Sequence, residues 1–265
     1  MKKIIITQIS EKKIKAGNPL LQFEDFPNEL SFNEGETVEL VDSRQAFVAR
    51  AYLAKQNKGV GWVFSLDNAD SFNEAFFKNQ FEKAKRKRTD LQADPETTTY
   101  RLFNAEGDGI PGVTIDHYDG FAVVSWYSGG IFRYQAAILA AFQAVFPETK
   151  GIYEKFRYQR KDSLISRFVT GEAAPTPLIV KENGINYATY LDDGLMTGIF
   201  LDQRDVRGAL TERYAAGKRV LNTFSYTGAF SVAAAMGGAI ETTSVDVANR
   251  SLERTKEQFA VNNLD

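Results

Sequence analysis

The chain contains no cysteine, and His117 is its only histidine in 265 residues. Disulfides are therefore excluded, along with thiolate and imidazole metal clusters, and the composition fits a reducing cytoplasm. Gly107-Asp108-Gly109 suggests a calcium loop at first sight, but the further acidic positions such a loop needs are missing, so no metal is expected. No run of 18 apolar residues occurs, which argues against a transmembrane helix. The N-terminal MKKIIITQIS has only a three-isoleucine run, too short for a signal peptide, and reads as a first strand over Ile4–Ile9. An excess of positive charge is lacking too: 32 Lys and Arg stand against 34 Asp and Glu, net −2. A generally basic nucleic-acid protein is disfavoured, while a local basic face stays open.

What is present is a large apolar fraction, 43% with 20 Phe, and one stretch that organises the rest, Arg219 to Asp246. Val220 and Leu221 lead a strand into the turn Thr223-Phe224-Ser225-Tyr226-Thr227-Gly228. Gly228 opens a helix of small residues, Gly237-Gly238 stops it, and Ile240–Val245 is a second strand ending at Asp246. Asp246 lies 18 residues after Gly228, the spacing at which a βαβ unit sets a carboxylate on a ribose diol. A dinucleotide would want three glycines in the turn, so that the backbone can approach a pyrophosphate. This turn has one. S-adenosylmethionine has no phosphate, and its carboxylate suits a helix N-terminus as its ribose suits Asp246. The bland alternative is an ordinary buried βαβ unit with an acidic turn residue.

Phe224-Ser-Tyr-Thr-Gly-Ala-Phe230, with Thr197-Gly-Ile-Phe-Leu-Asp-Gln-Arg204 upstream, resembles the large-subunit ribosomal RNA methyltransferases of the RlmI type. Gly107-Asp-Gly-Ile-Pro-Gly-Val-Thr-Ile-Asp116 is similar to that family's central-domain signature. The resemblance runs along the whole chain. It implies cytosine-5 methyltransferases with an N-terminal PUA domain, S-adenosylmethionine as cofactor and ribosomal RNA as partner. It also makes Gln203 and Arg204 candidates for the cofactor's polar tail, beside Phe224, Ser225, Tyr226, Thr227, Gly228 and Asp246. Met196 stands where the family often has lysine.

The expected fold is α/β overall, in parts. Residues 1–70 read as a β-rich, PUA-like RNA-binding barrel, with strands at Thr37–Val41, Phe47–Leu53 and Gly61–Ser65 between turn clusters. Residues 71–95 form a helical linker, Ser71 and Glu74 suggesting a capping box and Phe72, Phe76, Phe77 and Phe81 an apolar face. Lys83, Lys85, Arg86, Lys87 and Arg88 put five cations in six residues near its end. Cations there offset the helix dipole in any case, but this density makes Lys85, Arg86, Lys87 and Arg88 candidate phosphate contacts. Residues 96–177 form a central α+β domain, with strands at Thr99–Asn104, Gly112–Asp116, Phe121–Trp126 and Ile152–Phe156. A tight turn is expected at 106–109 and a helix over Ile131–Phe146; Arg157, Arg160, Lys161 and Arg167 then lie on a polar stretch. After the linker at 173–177 comes a hairpin around Asn183-Gly184, and then a helix from Asp202, a candidate N-cap. Residues 178–265 are the start of a Rossmann-like, doubly wound methyltransferase domain.

Two strands with two helices do not cover a doubly wound sheet, which leads us to expect a C-terminally truncated chain. Carbon 5 of cytosine needs a thiolate added at carbon 6, and with no cysteine here the catalytic residue is expected beyond Asp265. The alternatives are a guanine ring-nitrogen methyltransferase, which needs no cysteine, and a non-catalytic RNA-binding or assembly module. No membrane partner is expected, and a homodimer is left open.

Overall fold

In the computed structural model, which describes residues 1–56 and 58–264, the chain builds two five-stranded sheets and two strand pairs. The first sheet contains β1 (Lys2–Ile5), β2 (Leu20–Leu21), β3 (Thr37–Val41), β4 (Phe47–Leu53) and β5 (Gly61–Ser65), in the order β1-β3-β4-β5-β2. Only β1 and β3 run parallel. The expected strand over Ile4–Ile9 is cut short. Thr7 accepts from the Ser10 N–H and caps helix α1 (Gln8–Lys15), leaving Ile9 80% exposed.

Helices α2 (Glu74–Lys87) and α3 (Thr89–Ala93) follow. The cap of α2 is Asn73, whose Oδ1 accepts from Phe76 N–H, rather than Ser71. The second sheet holds β6 (Thr99–Asn104), helix α4 (Ala105–Asp108) after it, β7 (Val113–Tyr118) and β8 (Phe121–Trp126). Helices α5 (Gly129–Phe132) and α6 (Gln135–Val145) lead across to β9 (Gly151–Phe156), and β10 (Ser166–Gly171) closes an edge. Three expectations are corrected here. The turn at 106–109 is one helical turn stopped by left-handed Gly109, the helix over 131–146 is broken in two, and the polar stretch ends in an unforeseen strand.

Every residue of β8 is buried, because both faces of this sheet are covered. Ala122, Val124 and Trp126 join α2 and α6 and the aromatics of the first sheet in one core; Phe121 and Val123 join a second core on the other side. That second core is supplied by the hairpin of β11 (Leu178–Glu182) and β12 (Ile185–Thr189), with Asn183 and Gly184 both left-handed in its turn. A 3-10 turn at Leu201–Gln203 then leads into α7 (Arg204–Ala209), with no side-chain cap from Asp202. Strand β13 (Arg219–Thr223), α8 (Ala229–Met236), β14 (Glu241–Val245) and α9 (Asn249–Ala260) complete the chain as a parallel βαβα unit. Leu221 and Val245, which share one face of this strand pair, are 65% and 50% exposed. Helix α9 is tied to the backbone of β12. Gln258 exchanges two 2.8 Å hydrogen bonds with Ala188, and Asn262 pairs with Asn186 in the same way.

Candidate cofactor site

Strands β13 and β14 are in register from Arg219↔Glu241 to Thr223↔Val245, so the turn after β13 and Asp246 after β14 emerge side by side. Phe224, Tyr226 and Gly228 have φ of 57°, 52° and 77°, alternating with residues of negative φ. Such alternation curls the backbone and turns successive N–H groups toward one concave side. Ser225 N–H donates to Val245 O at 3.0 Å. Asp246 fastens the turn from the other strand: Oδ2 accepts from Tyr226 N–H and Oδ1 from Ala248 N–H, both at 2.9 Å. Those two bonds, Ala248 first, hold its pKa below the ordinary carboxylate value, so the group is an anion at neutral pH. Each oxygen keeps lone-pair capacity for a further donor.

The two motifs around residues 200 and 226 meet here. Gly198 N–H donates to the Tyr226 hydroxyl at 3.1 Å, and Thr227 Oγ1 donates to Gly198 O at 2.6 Å. Burial raises the Tyr226 pKa, so this hydroxyl stays neutral. The Phe200 ring lies 5.3 Å from that of Tyr226, and Thr197 Oγ1 shares a 2.7 Å hydrogen bond with Tyr118 of the second sheet. Ser225 and Thr227 are buried, whereas Phe224 is 89% exposed at the lip. Thr197 and Gly198 were visible in the sequence only as part of a motif. The partners of Gly198 lie 28 and 29 residues on and that of Thr197 lies 79 residues back, beyond any local pattern.

The remaining candidates are placed differently. Gln203 lies in the 3-10 turn that packs against β6. Arg204 pairs with Asp205, and its carbonyl accepts from Asn183 of the hairpin turn. Arg207, one turn further on, is a buried cation, bidentate to Glu182 at 2.7 Å and donating to Phe200 O. Gly228 is needed for packing as well as for its left-handed φ, since a Cβ there would come within 2.6 Å of Thr255 on α9. The basic helix end is mostly engaged within the protein. Lys87 and Arg88 both bind Asp108, whose Oδ2 also accepts from Asn104 N–H, and Lys85 donates to Val145 O and lies over Phe146. Arg86 alone of the four has no side-chain hydrogen-bond or ion-pair partner among the described residues, although its carbonyl accepts from Thr89 Oγ1.

A profile of S-adenosylmethionine-dependent methyltransferases matches residues 135–265, and one of PUA-like domains matches residues 4–66. YwbD of Bacillus subtilis, provisionally named a ribosomal RNA large subunit methyltransferase, is 48% identical across 100% of this chain and 68% of its own length. The chain belongs to the RlmI-like S-adenosylmethionine-dependent methyltransferases. Ribosomal RNA large subunit methyltransferase I of Escherichia coli O157:H7 is 36% identical over 87% of this chain and 59% of that protein. The chain thus spans 59% to 68% of the length of those relatives. A Streptococcus mutans structure, provisionally named a SAM-dependent methyltransferase, superposes with a TM-score of 0.94 at 47% identity, covering 100% of this chain and 68% of that one. The structure of SMU.776 complexed with SAH gives the same values. The residues present here fit such a group: an ionised, part-exposed carboxylate at a strand end, beside a curled turn and a helix start. Among the described residues no helix is long and apolar enough to cross a membrane.

Proposed function

We propose that this methyltransferase transfers the methyl group of S-adenosylmethionine to large-subunit ribosomal RNA in the cytoplasm, at carbon 5 of cytosine. The observation that carries the cofactor half is Asp246, ionised and holding the Tyr226 N–H at the end of β14. Its remaining lone pairs would accept the ribose hydroxyls, and the start of α8 would face the methionine carboxylate. Phe224 would border the site, Ser225 and Thr227 brace the turn, and Tyr226 with Thr227 fix Gly198 behind it. Gln203 and Arg204 are retained as candidates only for a part of the cofactor that reaches the 3-10 turn.

The RNA half is supported by the names of the two curated relatives and by the match to a PUA-like profile in residues 4–66. In this reading residues 1–70 bind RNA, 71–95 link, 96–177 form the central domain and 178–265 carry the cofactor. The cytosine assignment requires a thiolate. None of the 265 residues is cysteine, so the nucleophile would lie beyond residue 265. The test is methyl transfer from radiolabelled S-adenosylmethionine to 23S RNA by the full-length protein, with nucleoside digestion of the product. Label in 5-methylcytidine is the expected result. Label in a methylated guanine would replace the base assignment, and no transfer despite cofactor binding would favour an assembly module.

A further inference from the structure

A second recess lies away from the cofactor loop. It is an open cleft of about 1530 Å³ where the first sheet, the second sheet and the 194–196 loop meet, well above the roughly 300–1,000 Å³ of a small-molecule pocket. Lys55 and Lys58 come from the first sheet's side, and Tyr127, Arg157 and Tyr158 from the second. Neither lysine ammonium has an acceptor among the described residues. Arg157 donates only to neutral groups, Leu195 O at 2.8 Å and Met196 Sδ at 3.6 Å. Three cations with no ion-pair partner among the described residues therefore face one cleft, whose lining also carries Glu34 and Glu106, in a chain whose net charge is −2.

Two further observations point to a ligand. Thr114 and Glu34 line the cleft, Thr114 only 5% exposed, and its Oγ1 and the buried Oε2 of Glu34 have no hydrogen-bond partner among the described residues. Buried polar atoms are nearly always paired, so the pair marks a place where an occupant supplies both donors and acceptors. Cations for phosphates, tyrosine faces for bases and orphan polar atoms for base or ribose groups are together the equipment of a single-stranded nucleic-acid groove. The cleft also reaches Leu195, and three residues later Gly198 is held by Tyr226 and Thr227 of the cofactor loop.

We infer that this cleft seats an unpaired RNA segment flanking the target nucleotide. The inference deepens the proposed function and rests on it. It also moves the main phosphate contacts from the α2 end to the cleft, because the α2 cations are largely spent on Asp108 and Val145.

The test measures fluorescence anisotropy of the full-length protein with an unstructured RNA of about 10 nucleotides, a matched RNA duplex and calorimetric titration of S-adenosylhomocysteine. Lys55→Gln with Lys58→Gln, both exposed and free to be changed without disturbing the core, should weaken the single strand by roughly tenfold. The slope of log K against log salt should fall by about 1.4, near 0.7 for each lost phosphate contact. Thr114→Val, which keeps shape and removes the hydroxyl, should weaken it by roughly two- to tenfold. S-adenosylhomocysteine should bind all variants as it binds the parent. Unchanged affinity and slope in the lysine variant would overturn the inference and leave the cleft to a protein segment, with the cofactor reading intact. Duplex bound as tightly as single strand would also overturn it. Failure of the parent to bind S-adenosylhomocysteine would strike the function proposed above instead.

Discussion

His117 shows how little a residue's type says before its surroundings are known. Its ring stacks on Tyr100 at 5.0 Å, and its Nε2 accepts from Gly120 N–H at 3.2 Å. Burial pushes the imidazole pKa from the usual 6.5 down to about 4, because the charged form loses hydration and could no longer accept that hydrogen bond. The folded pKa lies below the unfolded one, so between about 6.5 and 4 the unfolded chain holds more protons. Stability contributed by the neutral ring is therefore full above the unfolded pKa and declines as pH falls through this window. As the chain's only histidine, its C2 proton gives one NMR resonance. Its titration midpoint is expected near pH 4 in the folded protein, and a midpoint at 6.5 would show that the ring is solvated. The sequence showed that no histidine cluster could bind metal. It held no sign of where this one sat, since Tyr100 approaches it through the β6–β7 pairing, while Gly120 reaches it from the turn between β7 and β8.

Helix α2 divides cleanly between what a pattern reveals and what it does not. Phe76, Phe77 and Phe81 were legible from helical spacing, and all three are buried in the core between α2, α6 and the second sheet. The purpose of the cations at its end was not legible, because their partner Asp108 lies 20 residues on from Arg88 and 21 from Lys87. Separation in sequence also hid the meaning of the Gly107–Asp116 motif, which anchors α2 through Asp108 and receives Tyr52 of the first sheet, 59 residues away, at Pro111 O. Strand β10 was missed for a different reason. It is an edge strand with no fully buried residue, so no alternation marks it. Asp108→Ala removes the partner of Arg88, a side chain only 13% exposed, and should cost about 2–4 kcal/mol in chemical denaturation. Arg86→Ala, at an exposed position with no partner, should stay within about 0.5 kcal/mol. Equal effects from the two would mean that the Asp108 pairs contribute nothing to folding.

At the scale of the whole molecule, the second sheet is the frame. One face takes α2, α6 and the aromatics of the first sheet, the other takes the hairpin and α8, and the cleft opens where these units join. The βαβ unit was the most legible part, since strand, small-residue helix, glycine and terminal Asp are all local signals. Its attachment was not: the Gly198 clamp, the Gln258–Ala188 pairing and the approach of Thr255 to Gly228 all span long distances in sequence. That approach makes Gly228→Val uninformative about the cofactor, as it would disturb α9 whether or not a ligand binds. Asp246 is the cleaner probe. Calorimetric titration of S-adenosylhomocysteine into the full-length protein and its Asp246→Ala and Asp246→Asn variants tests the account most directly, with melting curves to confirm that each variant is folded. Loss of charged hydrogen bonds to the ribose, worth about 1.5–3 kcal/mol, predicts about 10- to 150-fold weaker binding by Asp246→Ala. Parental affinity in a folded Asp246→Ala protein would contradict the assignment of this βαβ unit as the cofactor site.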